Sequence, residues 1–477
     1  MTKKIITRFS PSPTGFLHIG GLRTALYGYL FAKKNNGQFL LRIEDTDQSR
    51  KVEGATEGLQ IVLKKFGLNW DNKKPMIQSE RLDVYKKYAE QLVGAGKAYY
   101  CFCTPERLEQ LRQVQTARKL PPMYDGKCCN LAAKLAEKQI ADGRPYVIRF
   151  KMPKTGITEF TDLIRGKVSF ANNTLDDQII LKSDGFPTYH LASVVDDHEM
   201  AISHVIRGEE WLPSTPKHIL LYQAFGWAIP EFAHLPLLLN SDRSKLSKRQ
   251  GDVAVEDYLQ KGYLPQALLN FVLLLGWNPG TDQEIFSFSE MIKAFSLDKV
   301  NKSGAVFNVQ KLDWLNGHYL REKSDAELAK LCQPYFAAAG IQTDLKALEK
   351  IVSTEKDRIK KLEDIVPNTQ FFFIQPKYEA DLLLWKKLTK NEVADNLKSL
   401  KEKLSEITDR KWQIKNLEKE IKELIAKKGI GTGDMLWPMR VALSGLKNSP
   451  GPFEITWALG KKESLNRIEL AINNLLE

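Results

Sequence analysis

Apolar residues enter this chain in short bursts separated by breakers. The opening "KKIITRFS" is an apolar run of the length of a buried strand, and "RFSPSPTGFLHIGG" interrupts it with two prolines and three glycines. In "GGLRTALYGYLFAKKNNG" apolar residues return at helical spacing, with Gly37 predicted as the C-cap, and "QFLLRIEDTD" reads as a second strand. Strand, loop, helix and strand in that order predict the βαβ opening of a Rossmann-type, doubly wound parallel sheet of the α/β class.

Further along, "SERLDVYKKYAEQLVGAGKAYYCFC" predicts a helix running into a cysteine-bearing turn. "YVIRFKMP", "VSFAN" and "DQIILKSDGFPTYHLASVVDDH" predict a strand-rich region, with Asp196 and Asp197 at a strand end. Residues 101–184 are therefore expected to be an α+β insertion, after which "HVIRGEEWLPSTPKHILLYQAFGW" resumes strand and helix and completes the sheet. From about Glu322 the pattern turns almost wholly helical with dense mixed charge, as in "KSLKEKLSEITDRKWQIKNLEKEIKELIAKKG", which predicts separate all-α domains.

Composition narrows the class. A chain of 477 residues exceeds one ordinary core, and 43% apolar content suits a folded, multi-domain protein. The formal charge of +12 favours a polyanionic partner without identifying it, and also serves plain solubility. No run of eighteen apolar residues occurs, and "MTKKIITRFS" lacks the features of a signal peptide, so a cytoplasmic protein without a membrane partner is expected. Of five cysteines, four fall between Cys101 and Cys129, which suggests a metal rather than a disulfide framework.

The Pro/Gly loop carries the first candidate chemistry. A strand-to-helix loop ending in His-x-Gly lets Gly20 admit a flat ring close to the backbone. In the same loop His18 offers a donor to phosphate oxygens near a positive helix N-terminus. A second loop, "SDRSKLSKRQGD", supplies the ammonium groups of Lys245 and Lys248 for a triphosphate. "KMPK", at Lys151 to Lys154, imitates that loop but lies inside the insertion, where its proline would stiffen it. "TYHLASVVDDH" also admits a metal reading through His190, Asp196, Asp197 and His198.

Together the two loops resemble the H-I-G-H and K-M-S-K-S signatures of class I aminoacyl-tRNA synthetases, with Gly21, Leu246 and Arg249 as departures. "RFSPSPTGFLHIGGLRTALYGYLFA", "RIEDTD", "QSERLDVYKKYAEQL", "SDGFPTYHLASVVDDHEM", "VIRGEEWLPSTPKHILLYQAFGW" and "KLSKR", in that order, resemble the bacterial glutamyl-tRNA synthetases. The resemblance is dense over the first 320 residues and more diffuse beyond. It implies two halves of the catalytic domain at 1–100 and 185–240, an acceptor-stem domain at 101–184 and a stem-contact domain with the KLSKR loop at 241–321. Helical anticodon-binding domains are implied at 322–378 and 379–477.

The implied reaction activates L-glutamate with ATP and Mg²⁺ and transfers it to the terminal adenosine of tRNA(Glu), by an enzyme working as a monomer. A substrate with two carboxylates and an ammonium needs fixed guanidinium and acidic groups, for which Arg8 and Arg207 are the carboxylate candidates. By resemblance Tyr189 adds a hydroxyl, Glu44 and Ser12 receive the α-ammonium, and Glu210 and Trp211 stand beside the nucleotide bound by His18, Gly20, Lys245 and Lys248. Arg358 matches the arginine with which discriminating relatives read the third anticodon base; an ordinary solvated helix charge is the other reading of it. Cys101, Cys103 and Cys128 resemble a structural zinc knuckle with Asn130 where relatives place a donor. Cys129 as fourth thiolate, or a metal-free turn, remain open. A non-discriminating enzyme that also charges tRNA(Gln), a free nucleotidyltransferase and a non-catalytic tRNA-binding relative are the competing functions.

Overall fold

The computed structural model describes residues 4–246 and 253–477; Lys248 and Arg249 lie outside the described residues. The chain divides into two compact units, Met1–Leu259 with Leu268–Val309, and Gln260–Ala267 with Gln310–Glu477. In the first unit the strands run β1 (Ile6–Phe9), β2 (Gln38–Ile43), β3 (Met76–Ile77), β4 (Ala98–Cys101) and β5 (Val147–Phe150). They continue with β6 (Ile157–Asp162), β7 (Gly166–Ala171), β8 (Ile179–Leu181), β9 (His204–Gly208) and β10 (Glu231–Leu235).

A parallel sheet β1-β2-β3 forms one half of a layer, and β7-β6-β10-β9 forms the other. Ser203 ties them: its N–H donates to the Ile6 carbonyl, and its hydroxyl accepts the Ile6 N–H at 2.7 Å. Within the second half β9 and β10 are parallel, and the antiparallel hairpin β6–β7 joins through β10. The strands β4, β5 and β8 make a separate antiparallel sheet. The expected insertion therefore supplies strands to two sheets.

The helix Ile19–Lys34 starts where predicted because His18 caps it, its Nδ1 accepting the Gly20 N–H at 2.9 Å, and it ends on Lys33 and Lys34, which suit the negative C-terminus. Its C-cap is Asn35, not Gly37, and Asn36 takes the left-handed conformation at φ +52°. Asparagine tolerates that region. Gly37 instead allows a close approach of two chain segments, since a Cβ there would strike the Ile5 carbonyl.

The strand expected through "TYHLASVVDDH" is a helix, Tyr189–Glu199. Every residue from Leu191 to Asp197 is buried, and continuous burial erases the periodicity that distinguishes a helix from a strand. Asp196 and Asp197 are accordingly helical residues, and each is bonded to arginine: Asp196 to Arg81 at 3.0 Å, Asp197 to Arg8 at 3.1 Å and Arg42 at 2.6 Å. That pairing removes the metal reading of this stretch. The "KAYYC" expected in a turn is the strand β4.

The second unit is helical, with two apolar cores. One gathers Leu328, Cys332, Phe336, Leu348 and Val352 with Leu362 and Ile365. The other packs Val393, Leu397, Leu400 and Leu404 against Leu417, Ile421, Met435, Met439, Ile468 and Ile472. Capping boxes at Ser324/Glu327 and Thr389/Glu392 start two of the helices. Arg467, buried, donates to Glu463 and to the Phe371 and Leu443 carbonyls, so its charge sits on fixed acceptors.

Gly262 is a point of close approach in this unit. It holds φ +87°, and a Cβ would lie 2.6 Å from the Leu362 nitrogen. Gly262→Ala should lower the stability of the helical unit by about 1–3 kcal/mol. Helical unfolding in denaturant, followed by circular dichroism, is the check, and an unchanged midpoint would remove the steric argument.

Candidate active site

A cleft of about 430 Å³ opens in the first unit at the C-terminal ends of β1, β2 and β9. Ligand crevices in doubly wound sheets occur at such strand ends. It is lined by Arg8, Ser12, His18, Gly20, Glu44, Tyr189, Arg207, Glu210, Trp211 and Lys245, so residues predicted from five separate stretches converge there. The backbone draws the two signature loops together: the Ile19 N–H donates to the Val253 carbonyl and the Val255 N–H to the Leu17 carbonyl, placing His18 opposite Ala254. Lys245 bridges to Leu239 across a turn and lines the same cleft.

Glycine acts here by absence of a side chain. A Cβ on Gly20 would stand 3.2 Å from His18 Nδ1, so the glycine lets the ring fold back onto the helix end. Because Nδ1 accepts the Gly20 N–H, a neutral His18 carries its proton on Nε2. Gly208 does the same for the carboxylate of Glu210, which any Cβ at 208 would strike.

The floor of the cleft is a buried charge network. Asp197 holds Arg8 and Arg42, and Arg42 reaches Glu44 at 2.8 Å. Burial alone would raise the Asp197 carboxyl, but the two guanidinium groups outweigh it and keep it below the usual range. For Glu44 burial dominates over Arg42, and its pKa lies above the usual range.

Arg207, at the end of β9, is only 5% exposed and is enclosed by acceptors. Its Nη1 donates to the Tyr189 hydroxyl at 2.9 Å, its Nη2 to Thr215 Oγ1 at 2.9 Å and its Nε to His234 Nε2 at 3.1 Å. Tyr189 packs against Trp211 with ring centroids 4.3 Å apart and planes tilted by 39°. His190 Nδ1 and His218 Nε2 are 3.1 Å apart; burial, reinforced by nearby cations, pushes the former down to about 3 and the latter well below the ordinary value. Both rings stay neutral. Sequence reasoning missed Arg42, Thr215, His218 and His234, and gave Asp197 no role in holding arginine. The available signal was a lone polar residue inside an apolar strand or helix, as in "EFAHL".

Two further predicted clusters lie apart from the cleft residues in sequence. The sulfurs of Cys101, Cys103 and Cys128 lie within 4.8 Å of one another, without Cys129. The Tyr124 hydroxyl sits 3.4 Å from both Cys101 and Cys103 Sγ. In the helical unit Arg358 donates from Nε to Glu355 at 3.2 Å and from Nη1 to the Ser449 carbonyl at 3.0 Å.

Comparison with known proteins covers the whole length. Residues 4–314 match the model of the catalytic domain of tRNA synthetases class I (E and Q), and residues 327–472 that of an anticodon binding domain. The glutamate–tRNA ligase of Chloroherpeton thalassium is 47% identical over 99% of this chain and 98% of its own, and that of Clostridioides difficile 45% over 98% and 99%. The crystal structure of a glutamate tRNA ligase from Elizabethkingia meningosepticum, in complex with its amino acid, is 39% identical, covers 99% of this chain and 100% of that one, and superposes with a TM-score of 0.90. Agreement of sequence and fold from one end to the other places the chain in the glutamate–tRNA ligase family of class I tRNA synthetases.

Proposed function

We propose that the cleft joins L-glutamate to ATP as glutamyl-adenylate and passes it to the 3′-terminal adenosine of tRNA(Glu). The observation that carries this reading is the convergence of phosphate-seeking groups, His18 and Lys245, with carboxylate-seeking ones, Arg8, Tyr189 and Arg207, in a single cleft. The glutamate α-carboxylate attacks the α-phosphate of the Mg²⁺–ATP substrate, and pyrophosphate leaves. A terminal ribose hydroxyl of the tRNA, by class the 2′, then attacks the acyl carbon and AMP leaves.

Each protein group has a place in these steps. The Nε2 proton of His18 donates to phosphate oxygens, and Lys245 and Lys248 neutralise charge that grows on them. Arg207 donates to the Tyr189 oxygen, which leaves the hydroxyl proton for a substrate carboxylate; Arg8 supplies the fixed positive charge beside it. Glu44 and Ser12 receive the α-ammonium, and Gly20, Glu210 and Trp211 border the nucleotide. No enzyme nucleophile is required, because AMP activates the acyl group.

In this reading residues 101–184 hold the acceptor stem, 241–321 the adjoining stem and 322–378 with 379–477 the anticodon. The enzyme works as a cytoplasmic monomer; among the described residues no helix is long and apolar enough to cross a membrane.

Zinc fits the cysteine cluster as a structural cross-link. Tetrahedral zinc with bonds of about 2.3 Å separates its sulfurs by about 3.8 Å, and Cys103 and Cys128 are 3.6 Å apart. Cys101, Cys103 and Cys128 would hold the ion, and the oxygen available as fourth donor is that of Tyr124. Burial and the neighbouring thiols raise Tyr124 and also Cys103, the latter to about 11, so zinc binding would displace protons. Metal analysis of the purified chain should find one zinc per molecule, reduced by Cys103→Ser and weakened against chelators by Tyr124→Phe. Metal-free protein that keeps its fold would establish the cysteine-lined turn instead.

Lys248→Ala should raise the barrier to adenylate formation by roughly 2–4 kcal/mol while leaving the KM for glutamate nearly unchanged. Pyrophosphate exchange with tRNA present measures both, and near-native exchange would take Lys248 out of the mechanism.

Arg358→Gln should increase charging of tRNA(Gln) relative to tRNA(Glu) and leave ATP binding untouched. Charging assays with the two tRNAs test it. Equal use of both before and after the change would favour the non-discriminating enzyme.

A further inference from the structure

Behind Arg207 lies a pair of side chains that touches no substrate position. His234 on β10 and Asp162 at the end of β6 are both fully enclosed, and His234 Nδ1 is 2.6 Å from Asp162 Oδ2. On the other side of the ring His234 Nε2 receives the Arg207 Nε–H at 3.1 Å and faces Thr215 Oγ1 at 3.1 Å. An imidazole nitrogen accepts these donors only if it carries no proton. The ring proton must then be on Nδ1, which is where a carboxylate can accept it.

We propose that Asp162 and His234 act as a tautomer lock that orients the Arg207 guanidinium, and through it the Tyr189 hydroxyl, for the carboxylates of glutamate. The proposal rests on the assignment of Arg207 and Tyr189 to the amino-acid substrate. Asp162 and His234 are positioning residues in this scheme.

The arrangement is over-determined in the direction the lock requires. Asp162 Oδ1 accepts the backbone N–H groups of Ile164, Arg165 and His234, which fixes the carboxylate and leaves Oδ2 for the ring. Burial lowers the His234 pKa despite its bond to Asp162, and although burial would raise Asp162, the bond to His234 and those from the backbone hold it low. The pair is thus a neutral imidazole beside a carboxylate. The other N–H groups of Arg207 are directed to Tyr189, Thr215, His218 and the Trp211 carbonyl, so the guanidinium is held on every edge. Reversing the imidazole tautomer would set two N–H groups against each other at 3.1 Å and force the fork to turn.

Asp162→Asn inverts the lock with little change of shape. Its amide oxygen still serves the three backbone N–H groups, and its NH₂ then faces Nδ1 and drives the ring proton to Nε2. The KM for glutamate should rise about tenfold or more, with the KM for ATP within twofold of native. In His234→Gln the amide oxygen can take the place of the Nε2 lone pair and its NH₂ can donate to the Asp162 carboxylate, so this variant should keep a glutamate KM closer to native than Asp162→Asn does. Two results would overturn the lock: an unchanged glutamate KM in a folded Asp162→Asn enzyme, or a loss in Asp162→Asn that is equal for both substrates and no larger than in His234→Gln. Arg207→Gln, measured alongside, separates the premises. If it leaves the glutamate KM native, the assignment of Arg207 fails and the lock with it; if it raises that KM while Asp162→Asn does not, the lock alone fails.

Discussion

The catalytic half of this molecule depends on keeping arginine charges out of water without losing them. Arg8 and Arg42 are 3% and 0% exposed, a condition tolerable only when each guanidinium meets carboxylates or fixed dipoles. Asp197 supplies the shared acceptor, with Glu44 beyond it, and the helix that carries Asp197 is anchored by the bonds of Asp196 to Arg81, Gln78 and Tyr85. Strand ends and a helix are thereby fixed around one point. Removing a single partner would leave a bare buried charge, which is why the floor of the cleft behaves as a unit rather than as a set of additive contacts.

This constraint explains what was legible in the sequence. Residues facing the substrate sit in loops and at strand ends broken by Pro and Gly, so Ser12, His18, Gly20 and Lys245 stand out from their surroundings. The residues that hold them in place do not. Asp197 and His234 lie within apolar runs, and their partners are distributed over β1 and β2 for the one and β6 and β9 for the other, which no local pattern connects. The same physics hid the helix Tyr189–Glu199: a segment buried from Leu191 to Asp197 shows neither a two-residue nor a 3.6-residue period. In the second unit, where helices keep one wet face, periodicity and dense mixed charge announced the elements directly.

The cap at His18 shows how one residue serves both levels. Its Nδ1 completes the end of a structural helix, and that bond dictates which nitrogen can donate to a ligand. Secondary structure here sets a tautomer, as Asp162 does for His234. Around Arg207 burial keeps the imidazoles of His190, His218 and His234 neutral, and the positive charge is left to arginine.

The bond from Arg8 to Asp197 spans 189 residues of sequence, and that separation bears on biosynthesis. At a synthesis rate of about 5–20 residues per second, roughly ten to forty seconds separate the emergence of the two partners. During that interval β1 has β2 beside it but lacks both β9 and the carboxylate that neutralises Arg8. The first half of the sheet must wait on the ribosome with one edge open and one charge unmatched, and the whole inserted region is made before that edge closes. A protein of the translation apparatus is thus itself exposed, while being translated, to the edge pairing that its finished sheet prevents.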